Sequence, residues 1–281
     1  MTVADVMVWI GFCVALVFLF FLFFQRRPVD QSMQGLNTVA IVSDALDGVT
    51  LPTLTSPDLT NLTGDARSEA LTAWGIQFYA FSVIAHVRSV LRGLRAVATT
   101  ENIPPTFVLV RHIFEWTEQV CYVSEKFAQH VAGRDWTSAR ELLDTIVIGG
   151  KWVKEYGCKY GATPTTMSLP DTLWLKHARK SYEAYLTKVY GTEEKDDYGL
   201  LSEFSHPNAA CLLQFHDTDA GGDVRFLEPT SGSPLPAANW CLVDLIHFLI
   251  GLLRLNGEQA VRPRLEALAT RMSGMTSGLT R

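Results

Sequence analysis

The chain has 281 residues, of which 48% are hydrophobic and 19% charged, and a net charge of −5. The acidic balance argues against a general nucleic-acid coat, which needs a basic surface to displace counterions. The short, evenly spaced strands of an all-β protein are absent, and five widely spaced cysteines with no CxxC pair argue against a disulfide framework or a zinc site.

In chain order, residues 1–5 are a short external N-terminus, followed by the first structural signal, Val6 to Phe24. These nineteen residues carry no charge. As a helix they span about 28 Å, close to the hydrocarbon thickness of a bilayer. No basic start precedes them and no small-residue cleavage site follows, so the segment reads as a retained anchor and not a signal peptide. Arg26 and Arg27 follow the span directly. The positive-inside rule then places the N-terminus outside and residues 25–281 in the cytoplasm, with the lipid bilayer as a partner through residues 6–24. Unpaired cysteines agree with a reducing compartment.

Residues 25–65 read as a stalk, with a short helix over Gln31–Leu46 and a linker over 48–65 containing two prolines and many threonines. Residues 66–281 read as one helical domain. Asp65 suits an N-cap, and apolar residues recur at three and four up to Thr100. Arg88, Arg92 and Arg95 share a face of this long helix, as a solvated stripe or one facing phosphates or lipid headgroups. Pro104-Pro105 opens a second helix ending near Gly133. Asp135 opens a third, to about Tyr156, and a fourth covers roughly 171–190. Residues 193–205 form a fifth and 207–215 a short sixth. Residues 216–229 form a small hairpin with Ala-Gly-Gly in the turn. The last strong helix, 239–256, holds Asp244 and His247 in its middle, which marks a buried core helix in preference to a second span. Asn256-Gly257 closes it, and Pro263 begins a tail helix. The expected fold is all-α: a helical bundle with one small β-hairpin and a single N-terminal transmembrane helix.

Two segments concentrate reactive side chains. In YGLLSEFSHP, Tyr198, Ser202, Ser205 and His206 fall on one stripe, opposite Leu200, Leu201 and Phe204. Pro207 holds His206 extended and opens the next helix, so the imidazole sits at a positive helix end that favours its neutral, proton-accepting form. A histidine closing a helix corner by hydrogen bonding fits the same pattern. In RHIFEWTEQVCY, Arg111, Glu115, Glu118 and Tyr122 form a second stripe. On a solvated helix face, the Arg111–Glu115 pair would contribute about 0.3–0.5 kcal/mol. Asp217, Asp219, Gly222, Val224 and Glu228 match part of a calcium-loop pattern. Gly221 stands at a ligand position, and Pro229 stands where the exiting helix should start. No cofactor is indicated.

Together the R-x-x-x-E and Y-x-x-L-S-x-x-x-H-P segments resemble an uncharacterised bacterial all-helical family, domain of unknown function 5677, which is related in fold to the HEPN superfamily. The matching residues are Arg111, Glu115, Tyr198, Leu201, Ser202, His206 and Pro207, and the likeness covers roughly residues 66–255. It implies a bundle in which Arg111, Glu115 and His206 approach one another, RNA or a nucleotide as ligand, and a homodimer. In a catalytic version, His206 would take a proton from a ribose hydroxyl and Arg111 would stabilise the phosphorane. Glu115 would orient Arg111, and Tyr198 or Ser202 would position the phosphate. Many HEPN proteins are ribonucleases carrying Arg-x4–6-His on one helix, a spacing this chain lacks. A non-catalytic binding or scaffold module with a structural Arg/Glu/His cluster is the alternative.

Overall fold

The computed structural model describes residues 29–98, 103–148, 171–191, 201, 216–218, 224–226 and 234–276. The architecture of these residues is all-α. The helices are α1 (Val29–Asp47), α2 (Gly64–Ala98), α3 (Ile103–Gly133), α4 (Trp136–Ile148), α5 (Asp171–Tyr190), α6 (Leu235–Leu255) and α7 (Arg262–Thr276). Outside them, His216–Thr218 (β1) pairs antiparallel with Val224–Phe226 (β2). At three residues each, these strands add no layer to the bundle.

Helix α6 is the centre. Leu242, Leu245, Ile246, Leu249, Leu252 and Leu253 are fully buried, and Ala238, Cys241 and Ile250 nearly so. Among its described side chains only His247 and Arg254 are exposed, so the helix is enclosed by its neighbours over most of its surface. It packs on α3 most extensively, then on α1, α7 and α2. Each neighbour contributes an apolar stripe at three-and-four spacing. On α2 the stripe is Ile76, Ala80, Val83, Ile84, Val87, Leu91 and Leu94, and on α3 it includes Val110, Ile113, Val120 and Phe127. Helix α6 ends at Asn256, and Gly257 takes the left-handed backbone (φ 69°) that lets the chain reverse. The buried Glu258 carboxylate then accepts from the backbone N–H groups of Ala260 (2.6 Å), Val261 (3.0 Å) and Arg262 (2.8 Å). It thereby satisfies donors that the first turn of α7 would leave orphaned.

By length and composition, two described helices are apolar enough to cross a membrane: Gly64–Ala98, with 50% of its most apolar window buried, and Ala237–Leu255, with 67%. The count of one span is therefore not established by length and composition. The expected anchor at 6–24 lies outside the described residues.

Two sequence expectations are corrected. The segment assigned to a stalk contains α1, whose Val39, Val42 and Leu46 are fully buried against the bundle. The Arg88, Arg92 and Arg95 stripe stays partly in water, with Arg92 61% exposed, but it is not a row of unpaired charges, because it clamps α1 to α2. Arg88 Nη2 donates to the Val49 carbonyl at 2.8 Å, Arg92 Nε to Asp47 at 3.0 Å, and Arg95 to Asp44. Asp44 and Asp47 lie at the C-terminal end of α1, where the helix dipole is already negative. The arginines offset both.

At the other end of the α1 contact, a Cβ built on Gly35 would lie 2.7 Å from the Leu235 backbone carbonyl carbon. Backbone cannot give way as a side-chain tip can. Gly35→Ala is expected to destabilise the protein by about 1–3 kcal/mol, the ordinary cost of overpacking. The measurement is thermal unfolding of the purified full chain followed by circular dichroism.

Candidate functional site

The polar face of α3 is only partly open to solvent. It forms a seam with α5 and α6 on one side and with α2 on the other. Arg111 Nε donates to Glu115 Oε1 at 3.0 Å, and the two side chains are only 20% and 28% exposed. The expected surface pair is thus partly withdrawn from water, and the small surface value does not apply to it.

One turn further along, Glu118 sits within the apolar stripe and is 3% exposed. Arg179 of α5 reaches it, with Nε donating to Oε1 at 3.1 Å. Burial pushes the Glu118 carboxyl up to about 7, against the pull of Arg179 and with a further push from Glu115 and Glu183. Its neighbour Cys121 is buried, and its thiol is pushed far up by burial and by Glu125, Asp244 and Glu118. It therefore stays a protonated thiol and not a nucleophile.

Asp244, in the middle of α6, is a carboxyl with no exposure. Tyr182 Oη donates to Asp244 Oδ2 at 2.8 Å, and Tyr185 Oη donates to Oδ1 at 3.2 Å. The two tyrosines lie three apart on α5 with rings stacked 6.0 Å apart. Phe248 packs edge-on to Tyr185 at 4.8 Å, and Phe114 edge-on to Tyr182 at 5.6 Å. Thr117 Oγ1 donates to the Cys241 carbonyl at 3.1 Å, adding a buried tie between α3 and α6.

On the α2 side, His86 and His112 face each other, Nε2 to Nε2 at 2.8 Å. His112 Nδ1 lies 3.8 Å from Glu115 Oε2, and the Trp116 ring flanks His86 at 5.2 Å. Partial burial and the facing His112 hold the His86 imidazole below its ordinary value.

Of the residues expected to form a site, Arg111 and Glu115 are brought together. Tyr198, Ser202 and His206 lie outside the described residues, and of that segment only Leu201 is described, helical and buried. Asp219, Gly222 and Glu228 of the calcium-loop pattern also lie outside them, while Asp217 and Val224 sit on the paired strands. The His86–His112 pair and the Tyr182/Tyr185 grip on Asp244 were not anticipated. The three-residue spacing of the tyrosines in SYEAYL and the lone Asp244 in an apolar run were the available signals. Among the described residues, no group of three or more His, Cys, Asp or Glu side chains is arranged to hold a metal ion. No family model, curated protein or solved structure matches this chain.

Two outcomes follow from the seam. Asp244→Ala is expected to cost about 2–3 kcal/mol by leaving two buried phenols without their acceptor, and Tyr185→Phe about 1 kcal/mol. Both are read from denaturant midpoints. Glu118 carries the opposite lesson. Its folded value near 7 exceeds the unfolded value of 4.5, so the folded state holds the extra proton between these limits. Stability should therefore fall as pH rises from about 4.5 to 7 and level off above that. Glu118→Gln removes this slope, and its stability relative to wild type should rise over the same window by roughly 3 kcal/mol at most. Parallel pH-stability curves for the two proteins would refute the assignment.

Proposed function

We propose that this chain is a membrane-anchored helical module whose polar seam is a structural and binding element, not a ribonuclease centre. Residues 6–24 are its single N-terminal span, with the remainder, including a small hairpin over 216–229, in the cytoplasm. The observation that carries the reading is charge compensation. Arg111 is hydrogen-bonded to Glu115 and Arg179 to Glu118, while Asp244 adds a third carboxyl to the same seam. Both arginines are already engaged by carboxyls of the seam, which leaves them poorly placed to meet a phosphodiester and its more negative transition state. A seam of this kind sets helix register and holds the outer faces of α2, α3 and α5 in fixed relation for a partner to bind.

A second reading has one observation in its favour. The Arg111–Glu115 bond at 3.0 Å fits the approach expected from the resemblance to domain of unknown function 5677. In that reading the chain is a HEPN-like, RNA- or nucleotide-acting defence or stress protein. Tyr198, Ser202 and His206 complete a catalytic cluster with Arg111 and Glu115, and the chain pairs as a homodimer.

Induced expression separates the two. The scaffold reading expects growth and total RNA integrity to be the same for wild type and His206→Ala. RNA loss in wild type that disappears in both His206→Ala and Arg111→Ala would replace it with the second reading. For topology, a reporter fused after Arg281 is expected to be active only inside the cell, and activity outside overturns the orientation.

A further inference from the structure

We infer that His86 and His112 form a proton-counting latch between α2 and α3, closed when the pair is neutral or holds one added proton, and open when it holds two. The Nε2 atoms lie 2.8 Å apart and the ring centroids 5.0 Å apart, so the two nitrogens point at each other along one line. In the neutral pair one Nε2–H donates and the facing Nε2 accepts. The first added proton leaves that bond in place. His112 Nδ1 faces the Glu115 carboxylate at 3.8 Å, so the cation sits on His112 and donates from Nε2 to His86. The interhelix bond is then charge-assisted and stronger. A second proton must enter at His86 Nε2, the accepting atom itself. It abolishes the bond and sets two like charges face to face.

Among the described residues, Glu115 is the carboxylate at the pair, and Arg111 engages its other oxygen. Arg88 and Arg92, the nearest charged residues along α2, are turned to Val49 and Asp47 on the α1 side. No hydrogen bond or ion pair joins either ring to α1, α4, α5 or α6 among the described residues. The Trp116 ring, 5.2 Å from His86, adds no charge. Partial burial and the facing His112 hold His86 below its ordinary value of 6.5, the direction the geometry requires for the second step. The unfolded chain accepts that proton more readily than the folded one. The stability due to the latch is therefore complete above pH 6.5 and falls as pH drops below it, opposite in sign to the Glu118 slope. Opening releases the fixed relation of the outer faces of α2 and α3. Any loss of partner binding that follows rests on the scaffold reading; the latch itself does not, so either can fail alone.

A double-mutant cycle on the full chain in detergent tests the latch. Wild type, His86→Ala, His112→Ala and the double variant are unfolded by denaturant at several pH values from about 8 to about 4.5. Titrations that the four proteins share, that of Glu118 included, cancel in the cycle. At about pH 8 the two rings are expected to stabilise each other by about three- to tenfold in the unfolding equilibrium constant, the scale of one hydrogen bond. The coupling should shrink as pH falls and be absent or reversed at about pH 4.5. Histidine-selective carbon-13 labelling supplies a readout that a merely structural contact would not move. The His86 ring should titrate below 6.5 in wild type and move upward in His112→Ala. Both rings lie at the surface, and unchanged circular dichroism confirms the fold of the variants. No coupling at about pH 8, the same coupling at about pH 4.5, or a His86 midpoint that His112→Ala leaves in place overturns the latch.

Discussion

Enclosing α6 over most of its surface imposes the constraint on which the rest of the bundle depends. A buried polar group must find its partner within the protein, because no water is there to supply one. Asp244 is such a group, at the midpoint of the most apolar helix. Its two oxygens fix where Tyr182 and Tyr185 must be, and so fix the rotation and height of α5 against α6. Apolar packing alone would hold α5 only loosely against a slide of one turn, since besides Tyr182 its described side chains bury only Ala178 and Leu186. A carboxyl gripped by two phenols does not tolerate it.

The same reasoning explains why the polar face of α3 is only partly solvated. Helix α3 lies between α6, α5 and α2, so a stripe that is polar by periodicity meets protein in several directions. Glu118 meets Arg179, Arg111 and Glu115 meet each other, and His112 meets His86. Burying these ions costs desolvation that their mutual attraction roughly balances, so their net contribution to stability is small. What they provide is register: an α3 rotated by one residue would leave Glu118 without Arg179.

Much of this architecture was legible in the sequence where the signal is local. Uninterrupted periodicity across Gly64–Ala98, the Pro104-Pro105 start and the Asn256-Gly257 stop all translate directly into helix limits, because backbone sterics act over a few residues. The misreadings share one cause. Arg88, Arg92 and Arg95 look unpaired until Asp44 and Asp47, some forty-five residues earlier, are folded against them. Glu118 reads as surface because its neighbours Glu115 and Tyr122 are polar, and only the arrival of Arg179 explains its burial. The His86–His112 contact depends on the axial offset of α2 and α3. That offset is set by side-chain interdigitation along the whole interface, and nothing local encodes it. Of the expected catalytic set, the local pair Arg111 and Glu115 was legible as four-apart neighbours, whereas any approach to His206 is again a matter of tertiary offset.

Glu115 joins the two sides of the seam. One of its oxygens takes the Arg111 hydrogen bond, the other faces His112, and its charge is among the influences that raise the Glu118 carboxyl. A positive charge gained at the His86–His112 pair would draw on the field of Glu115. That would lessen its push on Glu118 and favour ionisation of the buried acid. The surface pair and the buried carboxyl are therefore coupled through one side chain, with no movement of backbone required. The coupling has a definite sign: positive charge gained outside favours proton release inside. By reciprocity, a proton held by Glu118 disfavours positive charge at the pair by the same factor.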